Sequence, residues 1–265
     1  MSGLSVSELY IHPVKSLASL PVDSAMVDQF GLTNDRRWML VDTDGVFITQ
    51  RFIPSMCLIT ALIEHNRLRL TAANMPAIYI DEKDHGAVTM VTVWNDRCQA
   101  LDCGDAVADW LSRFLKKDCR LVYFPQHEVR QVDLDYAKAG DKTGFSDGFP
   151  LLLISQASLD DLNSRLTHAV AMPRFRPNIV ISGCEAFAED QWQAIRIGDL
   201  TYRLVKPCSR CSIPGINPLT AQRETELLQT LRSYRMKDNK VYFGQNVIAD
   251  NIGLIKKGMA VELIG

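Results

Sequence analysis

The chain has 265 residues, of which 47% are hydrophobic and 23% are charged, and its formal net charge is −2. This hydrophobic content is enough for a buried core and excludes global disorder, while the length suits one large domain or two. The slightly negative charge excludes a uniformly basic face. We therefore expect no nucleic-acid partner, and we expect any bound anion to lie in a local pocket.

The beginning of the sequence carries no recognisable targeting signal. Residues 1–5 lack the basic start and the long apolar core of a signal peptide, and the longest apolar stretches are too short to cross a bilayer as a helix. The seven cysteines are an odd number, scattered and mostly inside apolar runs, as reduced thiols would be. The sequence therefore predicts a soluble cytoplasmic protein without a membrane partner.

The first third of the chain is predicted to form short strands separated by turns. The predicted strands cover residues 8–12, 37–41, 46–49, 67–71, 77–81, 88–93 and 98–102. Asp42-Thr43-Asp44-Gly45 is predicted to be the hairpin turn between the second and third of these strands. Many short strands at regular spacing indicate a barrel or a sandwich.

The middle of the chain begins with a predicted amphipathic helix over residues 105–117. Its apolar side chains recur on one stripe, an aspartate lies near its start and lysines lie at its end. A buried strand is predicted over residues 119–124. Residues 125–148 are polar and irregular, so we expect a domain seam there or a loop over a site.

The second half adds strands and two further helices. The predicted strands cover residues 151–154, 179–181, 193–197, 200–205, 243–249 and 259–264. One helix is predicted from a cap at Ser155 or Ser158 to about residue 166, and the other over residues 224–235. Strands outnumber helices and do not alternate with them as in βαβ units. The predicted fold class is mainly β, of the β-barrel type, with a few covering α-helices.

The pair Cys208 and Cys211 stands at the end of a predicted strand, with Lys206 and Arg210 beside it. Cationic neighbours favour the thiolate, which attacks electrophiles or binds soft metals. The polar residues between the two cysteines indicate an exposed loop. We interpret Cys208 as a buried structural thiol and Cys211 as a site thiol, although two ordinary core cysteines remain an equal alternative on these residues alone.

Two other interpretations of the C-x-x-C spacing fit less well. A structural zinc site needs four ligands, and the sequence has neither a second C-x-x-C nor a histidine after His168. A thioredoxin-like dithiol opens a helix, whereas residues 212–215 contain a proline and a glycine that would break one. A disulfide between the pair could still form under oxidation.

A second set of residues favours a bound anion beside the thiolate. Lys15-Ser16, Arg36, Arg176 and Arg210 all fall at predicted strand ends or turns rather than on polar faces. Any one of these cations alone would most simply be solvated. Together with a thiolate they suit a ligand that carries a phosphate and a fused heterocycle, because arginine and lysine are the usual phosphate ligands.

With these motifs the sequence resembles the MOSC superfamily, in particular the branch of YcbX-type bacterial proteins and mitochondrial amidoxime-reducing components. The resemblance covers almost the whole chain, and its motifs are short but follow the family order. They are residues 11–16, Gly31-Leu32, residues 35–38, residues 145–150, residues 155–159, residues 175–183, Cys208-Ser209-Arg210-Cys211 and residues 243–246.

The resemblance implies a MOSC N-terminal β-barrel domain over residues 1–120 and a MOSC domain over residues 121–265, with molybdopterin-bound molybdenum between them. It implies that Cys211, the second cysteine of its motif, ligates the metal and is the catalytic residue. It also assigns contacts with the cofactor to a set of residues that match family positions. These are Lys15, Ser16, Arg36, Asp147, Arg176, Asn178, Ser209 and Arg210.

The sequence departs from the family pattern in three respects. Longer bacterial relatives carry a C-terminal ferredoxin domain with an iron–sulfur cluster. This sequence has no cysteine after Cys211, so we expect no such cluster in this chain. The mitochondrial relatives begin with a targeting and membrane segment, and we expect no such segment in this sequence. Electrons would then come from a separate donor protein of the ferredoxin or flavin reductase type. Residues 212–215 stand where the family has a more β-like continuation after the second cysteine. We therefore expect the wall of the substrate pocket to differ here from that of the family.

The leading functional hypothesis is a molybdenum-cofactor-dependent oxidoreductase that reduces small N-hydroxylated or N-oxide substrates by removing the oxygen of an N–O bond. Cys211 would fix the metal and tune its potential. One alternative is a carrier that binds the molybdenum cofactor without turnover. Another is sulfur transfer through a cysteine persulfide on Cys208 or Cys211.

Overall fold

The computed structural model of the protein describes residues 3–81 and 86–264. The strands are β1 (Ser5–Ile11), β2 (Leu20–Val22), β3 (Ser24–Asp28), β4 (Gly31–Leu32), β5 (Trp38–Val41), β6 (Thr60–Glu64), β7 (Arg67–Thr71), β8 (Ile78–Asp81), β9 (Val88–Val93), β10 (Asp96–Asp102), β11 (Arg120–Tyr123), β12 (Leu151–Ser155), β13 (Ile179–Ser182), β14 (Ala194–Ile197), β15 (Leu200–Ser209), β16 (Met236–Lys237), β17 (Lys240–Ala249), β18 (Gly253–Lys256) and β19 (Val261–Ile264). The helices are α1 (Asp105–Leu115), α2 (Gln156–Asn163) and α3 (Glu226–Arg235).

Strands from both ends of the chain form one barrel. They pair in the order β19-β14-β15-β17-β12-β13-β1. The ring closes between β1 and the approach to β19, where the Val6 amide donates to the Met259 carbonyl and the Val261 amide donates to the Leu4 carbonyl, each at 2.9 Å. Closure removes the open edges that an isolated sheet would expose.

The barrel is filled by apolar side chains from every strand of the ring. Aliphatic residues dominate this core, because alternate positions on each strand point inward and β-branched residues pack well there. The core includes Val6, Leu9, Leu153, Ile179, Ile181, Ile195, Ile197, Leu200, Tyr202, Val247 and Val261. Helices α2 and α3 cover the outer face of the sheet over a second cluster that contains Phe175 and Phe243, whose rings stack at 4.3 Å.

The first half of the chain contributes a four-stranded sheet, β5-β11-β10-β9, and a three-stranded sheet, β6-β7-β8. Trp38 and Leu40 of β5 face the core shared with α1 and the smaller sheet, whereas Met39 and Val41 face a second core that includes Phe145. Both faces of β5 are buried, so its sequence is continuously apolar rather than alternating. These curled sheets and their packed helix are the barrel-like N-terminal part of the mainly β fold.

One βαβ unit lies within the second half, and its presence corrects the expectation that strands and helices do not alternate. β12 pairs with β13 in parallel, with Leu153 opposite Ile179, and α2 makes the crossover between them. Ser155 caps α2, since its side chain accepts a hydrogen bond from the Ser158 amide at 3.1 Å. The sequence prediction of a cap at Ser155 or Ser158 is therefore confirmed at Ser155.

Most predicted elements are present within a few residues of their expected bounds. The predicted turn at residues 42–45 is confirmed, but the expected strand over residues 46–49 is wrong, because only isolated bridges join Val46 to Thr92 and Phe47 to Val41. Helix α1 ends at Leu115, where Lys116 adopts a left-handed conformation. The sequence analysis did not predict β2, β3, β4, β6, β16 or β18.

The sheets cross the predicted division between residues 1–120 and 121–265. Strand β1 pairs with β13, and β3 pairs with β18, so these N-terminal strands pack with the C-terminal half. The division itself stays a prediction about the sequence. The cavity described next lies where the two halves meet.

Candidate functional site

One cavity brings together every residue that the sequence analysis assigned to the site. Its predicted members come from five separate segments of the chain, and they are Lys15, Ser16, Arg36, Asp147, Arg176, Asn178, Ser209, Arg210 and Cys211. Their common location is a fact of the fold. Their contacts with a cofactor stay predictions.

Lys15 and Asp147 form an ion pair at this cavity. The buried Lys15 ammonium contacts the Asp147 carboxylate and also donates to the Phe145 carbonyl at 2.7 Å. Burial lowers the pKa of Lys15 to about 8, although the Asp147 carboxylate opposes this effect. Desolvation raises the pKa of Asp147, but the Lys15 charge and a hydrogen bond from Trp94 Nε1 more than offset it and hold that pKa well below its usual value.

Arg36 is held by a polar network beneath the cavity. Its guanidinium pairs with the fully buried Asp35 carboxylate, and it donates to Asn178 Oδ1 at 3.1 Å and to the Arg176 carbonyl at 3.2 Å. His12 lies behind Asp35, with its Nδ1 3.2 Å from Asp35 Oδ1. Burial, together with the charges of Arg36 and Arg176, lowers the pKa of His12 to about 3, so this imidazole is neutral at physiological pH.

Asn178 joins the two halves of the chain at the cavity. Its Oδ1 accepts from Arg36 and from the Leu152 amide, each at 3.1 Å, and its Nδ2 donates to the Tyr10 carbonyl at 3.2 Å. A fully buried amide must find such partners, because leaving them unmade costs about 1–3 kcal/mol. Asn178 thus ties the βαβ unit to the turn that carries Arg36.

Three of the predicted site residues adopt the left-handed backbone region that non-glycine residues rarely occupy. Their φ angles are 67° at Ser16, 48° at Arg36 and 57° at Arg176. Arg176 follows the 3-10 turn Met172–Phe175, and its Nη1 donates to the Leu17 carbonyl at 2.5 Å. Burial and the neighbouring Arg36 charge lower the pKa of Arg176 to about 9, so it remains a cation at neutral pH.

Both cysteines of the C-x-x-C motif line the cavity. Cys208 belongs to the end of β15 and Cys211 follows it, and both thiols are free, half-buried and part of the cavity lining. The interpretation of Cys208 as a buried structural thiol is therefore wrong. Only part of its side chain packs against the core below α3, while Arg210 Nη1 donates to its sulfur at 3.1 Å.

The cavity carries an excess of positive charge. Among the described lining residues, Lys15, Arg36, Arg51, Arg176 and Arg210 face one carboxylate, that of Asp147. Two buried atoms of these cations, Arg176 Nη2 and Arg210 Nε, have no hydrogen-bond partner in the protein. Buried donors without partners are uncommon in proteins, so these atoms indicate where an anionic ligand would bind.

The arrangement does not provide a site for a bare metal ion. Within residues 3–81 and 86–264, no group of three or more histidine, cysteine, aspartate or glutamate side chains is placed to hold one. The zinc interpretation of Cys208 and Cys211 therefore finds no further ligands in the described chain. A metal at Cys211 would need most of its ligands from a cofactor that arrives with it.

Sequence reasoning missed Arg51, Phe149 and Asn246, which also line the cavity. The Arg51 guanidinium lies 4.2 Å from the centre of the Trp94 ring. Arg51 follows a stretch that was predicted to be an ordinary strand, and no local pattern separates it from a surface arginine. For Asn246 a signal did exist, because it ends the last of the family-like motifs.

Comparisons with known proteins match the whole chain. A profile described as the MOSC N-terminal beta barrel domain matches residues 3–118, and one described as the MOSC domain matches residues 140–262. Mitochondrial amidoxime-reducing component 1 of Homo sapiens is 38% identical over 98% of this chain and 83% of its own length. Mitochondrial amidoxime reducing component 2 of Bos taurus is 34% identical over 96% of this chain and 81% of its own length.

Among solved structures, the YUAD protein from Bacillus subtilis covers 98% of this chain and 94% of its own, with 10% identity and a TM-score of 0.46. In the part of the chain that the structure describes, helices are too short or too polar to cross a membrane. The two domain profiles match residues 3–118 and 140–262, and the relatives match nearly the whole chain. The chain belongs to the MOSC-domain family that includes the mitochondrial amidoxime-reducing components.

Proposed function

We propose that this protein is a molybdenum-cofactor-dependent reductase of small N-hydroxylated or N-oxide compounds. Relatives that match 98% and 96% of the chain are named amidoxime-reducing components. The observation that carries the proposal is the meeting of Cys211 with five cationic side chains around one cavity. A soft thiolate and a cluster of phosphate-binding cations suit a metal that is delivered on a phosphorylated organic ligand.

The residues present fit such a group. Arg176 and Arg210 each offer a buried donor atom that has no protein partner, and the exposed Ser209 and the half-buried Asn246 add neutral polar groups at the wall. Arg36 is already held by Asp35 and Asn178, so it presents a fixed positive charge rather than a mobile one. An anion bound here would regain the hydrogen bonds that the unpaired donors now lack.

When bound, the molybdenum cofactor would supply a two-electron centre that takes the oxygen from an N–O bond. The balanced conversion is R–NHOH + 2 e⁻ + 2 H⁺ → R–NH₂ + H₂O. Cys211 would hold the metal, and the cations of the cavity would hold the anionic part of the cofactor. The Lys15 ammonium, whose pKa burial lowers to about 8, could release a proton near neutral pH.

The two electrons must reach the site from outside the barrel. We propose that they come from a separate donor protein of the ferredoxin or flavin reductase type, and that the substrate is a small molecule. The cavity opens where the two halves of the chain meet, so both can approach it without unfolding either core.

The test is reduction of an aromatic amidoxime by protein purified from a host that makes molybdenum cofactor, with reduced methyl viologen as donor. The wild type should contain molybdenum and pterin and form the amidine. Cys211→Ala should lose at least about 100-fold in activity, since changes that only support a metal ligand already cost 10–100-fold. Cys184→Ser, which lies outside the cavity and is also half-buried, is the matched control.

The outcomes separate the alternatives. A wild type that is loaded with cofactor but reduces no N-hydroxylated compound contradicts the reductase and favours the carrier. Sulfane sulfur on Cys208 or Cys211 after incubation with a cysteine desulfurase would favour sulfur transfer. Equal activity of Cys211→Ala and the control would remove the thiolate ligand from the proposal.

A further inference from the structure

Arg130 is a buried cation outside the cavity that binds the segment carrying Asp147. Only 5% of its side chain is exposed. Its Nη1 donates to the Gly144 carbonyl at 2.9 Å and to the Ser146 carbonyl, and its Nη2 donates to the Asp147 carbonyl at 3.1 Å. One guanidinium thus holds three carbonyls within four consecutive residues.

These three carbonyls belong to the last turn before β12, where no helix or strand supplies main-chain partners. Residues 125–150 form no helix or strand, and their one strand-like pairing is an isolated bridge between Gln131 and Lys142. The Arg130 side chain replaces the missing ladder, because a planar guanidinium can donate to several acceptors in fixed directions. A lysine could not satisfy the same set of acceptors.

The turn between β9 and β10 anchors this arrangement from the other side. Asp96 Oδ2 accepts from Arg130 Nε at 2.7 Å, and Trp94 Nε1 donates to Asp147 Oδ1 at 3.1 Å. Asp147 is therefore held by its main chain through Arg130 and by its side chain through Trp94. Both contacts originate from one hairpin turn of the four-stranded sheet.

The consequence reaches the cavity through Lys15. Its ammonium contacts the Asp147 carboxylate and the Phe145 carbonyl, and both groups lie on the turn that Arg130 holds. Phe145 itself is anchored through its amide, which donates to the Arg36 carbonyl at 2.9 Å. Loosening of residues 144–147 would displace both partners of Lys15 at once.

We propose that Arg130 is a positioning residue that fixes the turn at residues 144–147, and through it the Lys15–Asp147 pair that lines the cavity. The effect on cofactor retention rests on the function proposed above, whereas the effect on the turn does not. Arg130 does not itself line the cavity, but it donates to the carbonyls of Ser146 and Asp147, two residues that do. Its hydrogen bonds fix the conformation of residues 144–147, which belong to no strand.

The first measurement is peptide-resolved hydrogen exchange of the full chain with and without Arg130. Arg130→Met should speed exchange of the Phe145 amide and its neighbours on the order of tenfold, because each hydrogen bond to a charged donor contributes above 1 kcal/mol. Arg130→Lys, which can keep the Asp96 pair, should fall between the two. Asp96→Asn removes only that pair and serves if Arg130→Met does not fold.

The matched control is Arg203→Met, which removes a cation of β15 that pairs with Asp141 of the same irregular segment. Arg203 is also mostly buried and pairs with Asp141 and Asp250 at 2.8 and 2.7 Å. Its loss should speed exchange near residue 141 and leave residues 144–148 as in the wild type. If Arg130 contributed only to general stability, Arg130→Met and Arg203→Met would change hydrogen exchange at residues 144–148 to the same extent.

The second measurement is the amount of pterin and molybdenum per chain after expression in a cofactor-competent host. We expect about tenfold weaker retention in Arg130→Met, the range seen when a supporting residue is lost, and wild-type content in Arg203→Met. Unchanged exchange at residues 144–148 in Arg130→Met, or equal cofactor loss in Arg203→Met, overturns the inference. If the wild type holds no cofactor, the proposed function fails, and the exchange experiment still decides the role of Arg130.

Discussion

At the scale of single residues, the cavity concentrates backbone strain and buried charge in the same place. Ser16, Arg36 and Arg176 adopt left-handed conformations, each of which costs about 1–2 kcal/mol for a residue other than glycine. A strained backbone conformation is kept only where the surrounding contacts enforce it. The contacts of Arg36 with Asp35 and Asn178 do so here. This coincidence supports the interpretation of the cavity as a binding site.

Lys15 gives a residue-scale prediction about pH. Its pKa is about 8 in the folded chain and 10.5 when unfolded, so between these values the unfolded chain binds more protons and the contribution of Lys15 to stability rises with pH. Lys15→Met should therefore be more stable than the wild type near pH 7. That advantage should shrink by roughly 1 kcal/mol per pH unit between pH 8 and 10.

Urea unfolding of wild type and Lys15→Met at pH 7, 8, 9 and 10 measures this difference. Binding of an anion at the cavity should show the opposite trend and weaken as the pH rises through 8, because Lys15 loses its charge. A difference in the free energy of unfolding that stays constant over this range would contradict the assignment.

At the scale of elements, the βαβ unit formed by β12, α2 and β13 places Asn178 at the site. β13 begins directly after Asn178, and the Leu152 amide of β12 donates to the Asn178 side chain at 3.1 Å. Buried Glu189 secures the start of α2, since its Oε1 accepts from the Ser155 amide at 3.0 Å and from Ser158 Oγ at 2.8 Å. The cap of α2 therefore supports the geometry below the cavity.

Ser155→Ala is the element-scale prediction. It removes the acceptor of the buried Ser158 amide, and we expect a loss of about 1–3 kcal/mol in the free energy of unfolding. Urea unfolding at pH 7 measures it. Ser164→Ala, whose exposed hydroxyl donates to the Asp161 carbonyl at 2.7 Å, should change the same quantity by less than about 0.5 kcal/mol. Equal effects of the two substitutions would show that the cap contributes nothing.

At the scale of the whole molecule, the first strand of the chain completes the barrel built by its second half. β1 lies between β13 and the segment before β19, and its residues Val6 and Leu9 fill the barrel core. The sheets of the second half therefore include strands from before residue 120. Contacts between distant segments of this kind also make folding slow, because they close long loops.

A fragment of residues 121–265 provides the whole-molecule prediction. Without β1 the barrel has open edges at β13 and β19, and without β3 the strand β18 has no partner. We expect no cooperative thermal transition and dispersed amide signals only after the fragment is mixed with residues 1–120. A fragment that unfolds cooperatively by itself, as a monomer, would contradict this account of the barrel.

Local patterns in the sequence predict the apolar positions of the cores and the places of most strands and helices. The alternation of apolar and polar residues is local, so it is readable without the fold. The family-like motifs add the residues at strand ends. Arg51 and Arg130 carried no such signal, because an arginine beside a turn has the same local pattern whether it is solvated or buried.

The identity of the segments that meet in space follows from the three-dimensional packing and not from local sequence. The pairing of β1 with β13 and the contact of Lys15 with Asp147 join residues that are 132 or more positions apart. The crossover through α2 brings β12 and β13 together as parallel neighbours. Such contacts depend on the packing of complete sheets, since a strand can satisfy its hydrogen bonds with any compatible edge. The cavity exists because these long-range pairings place seven separate segments around one volume.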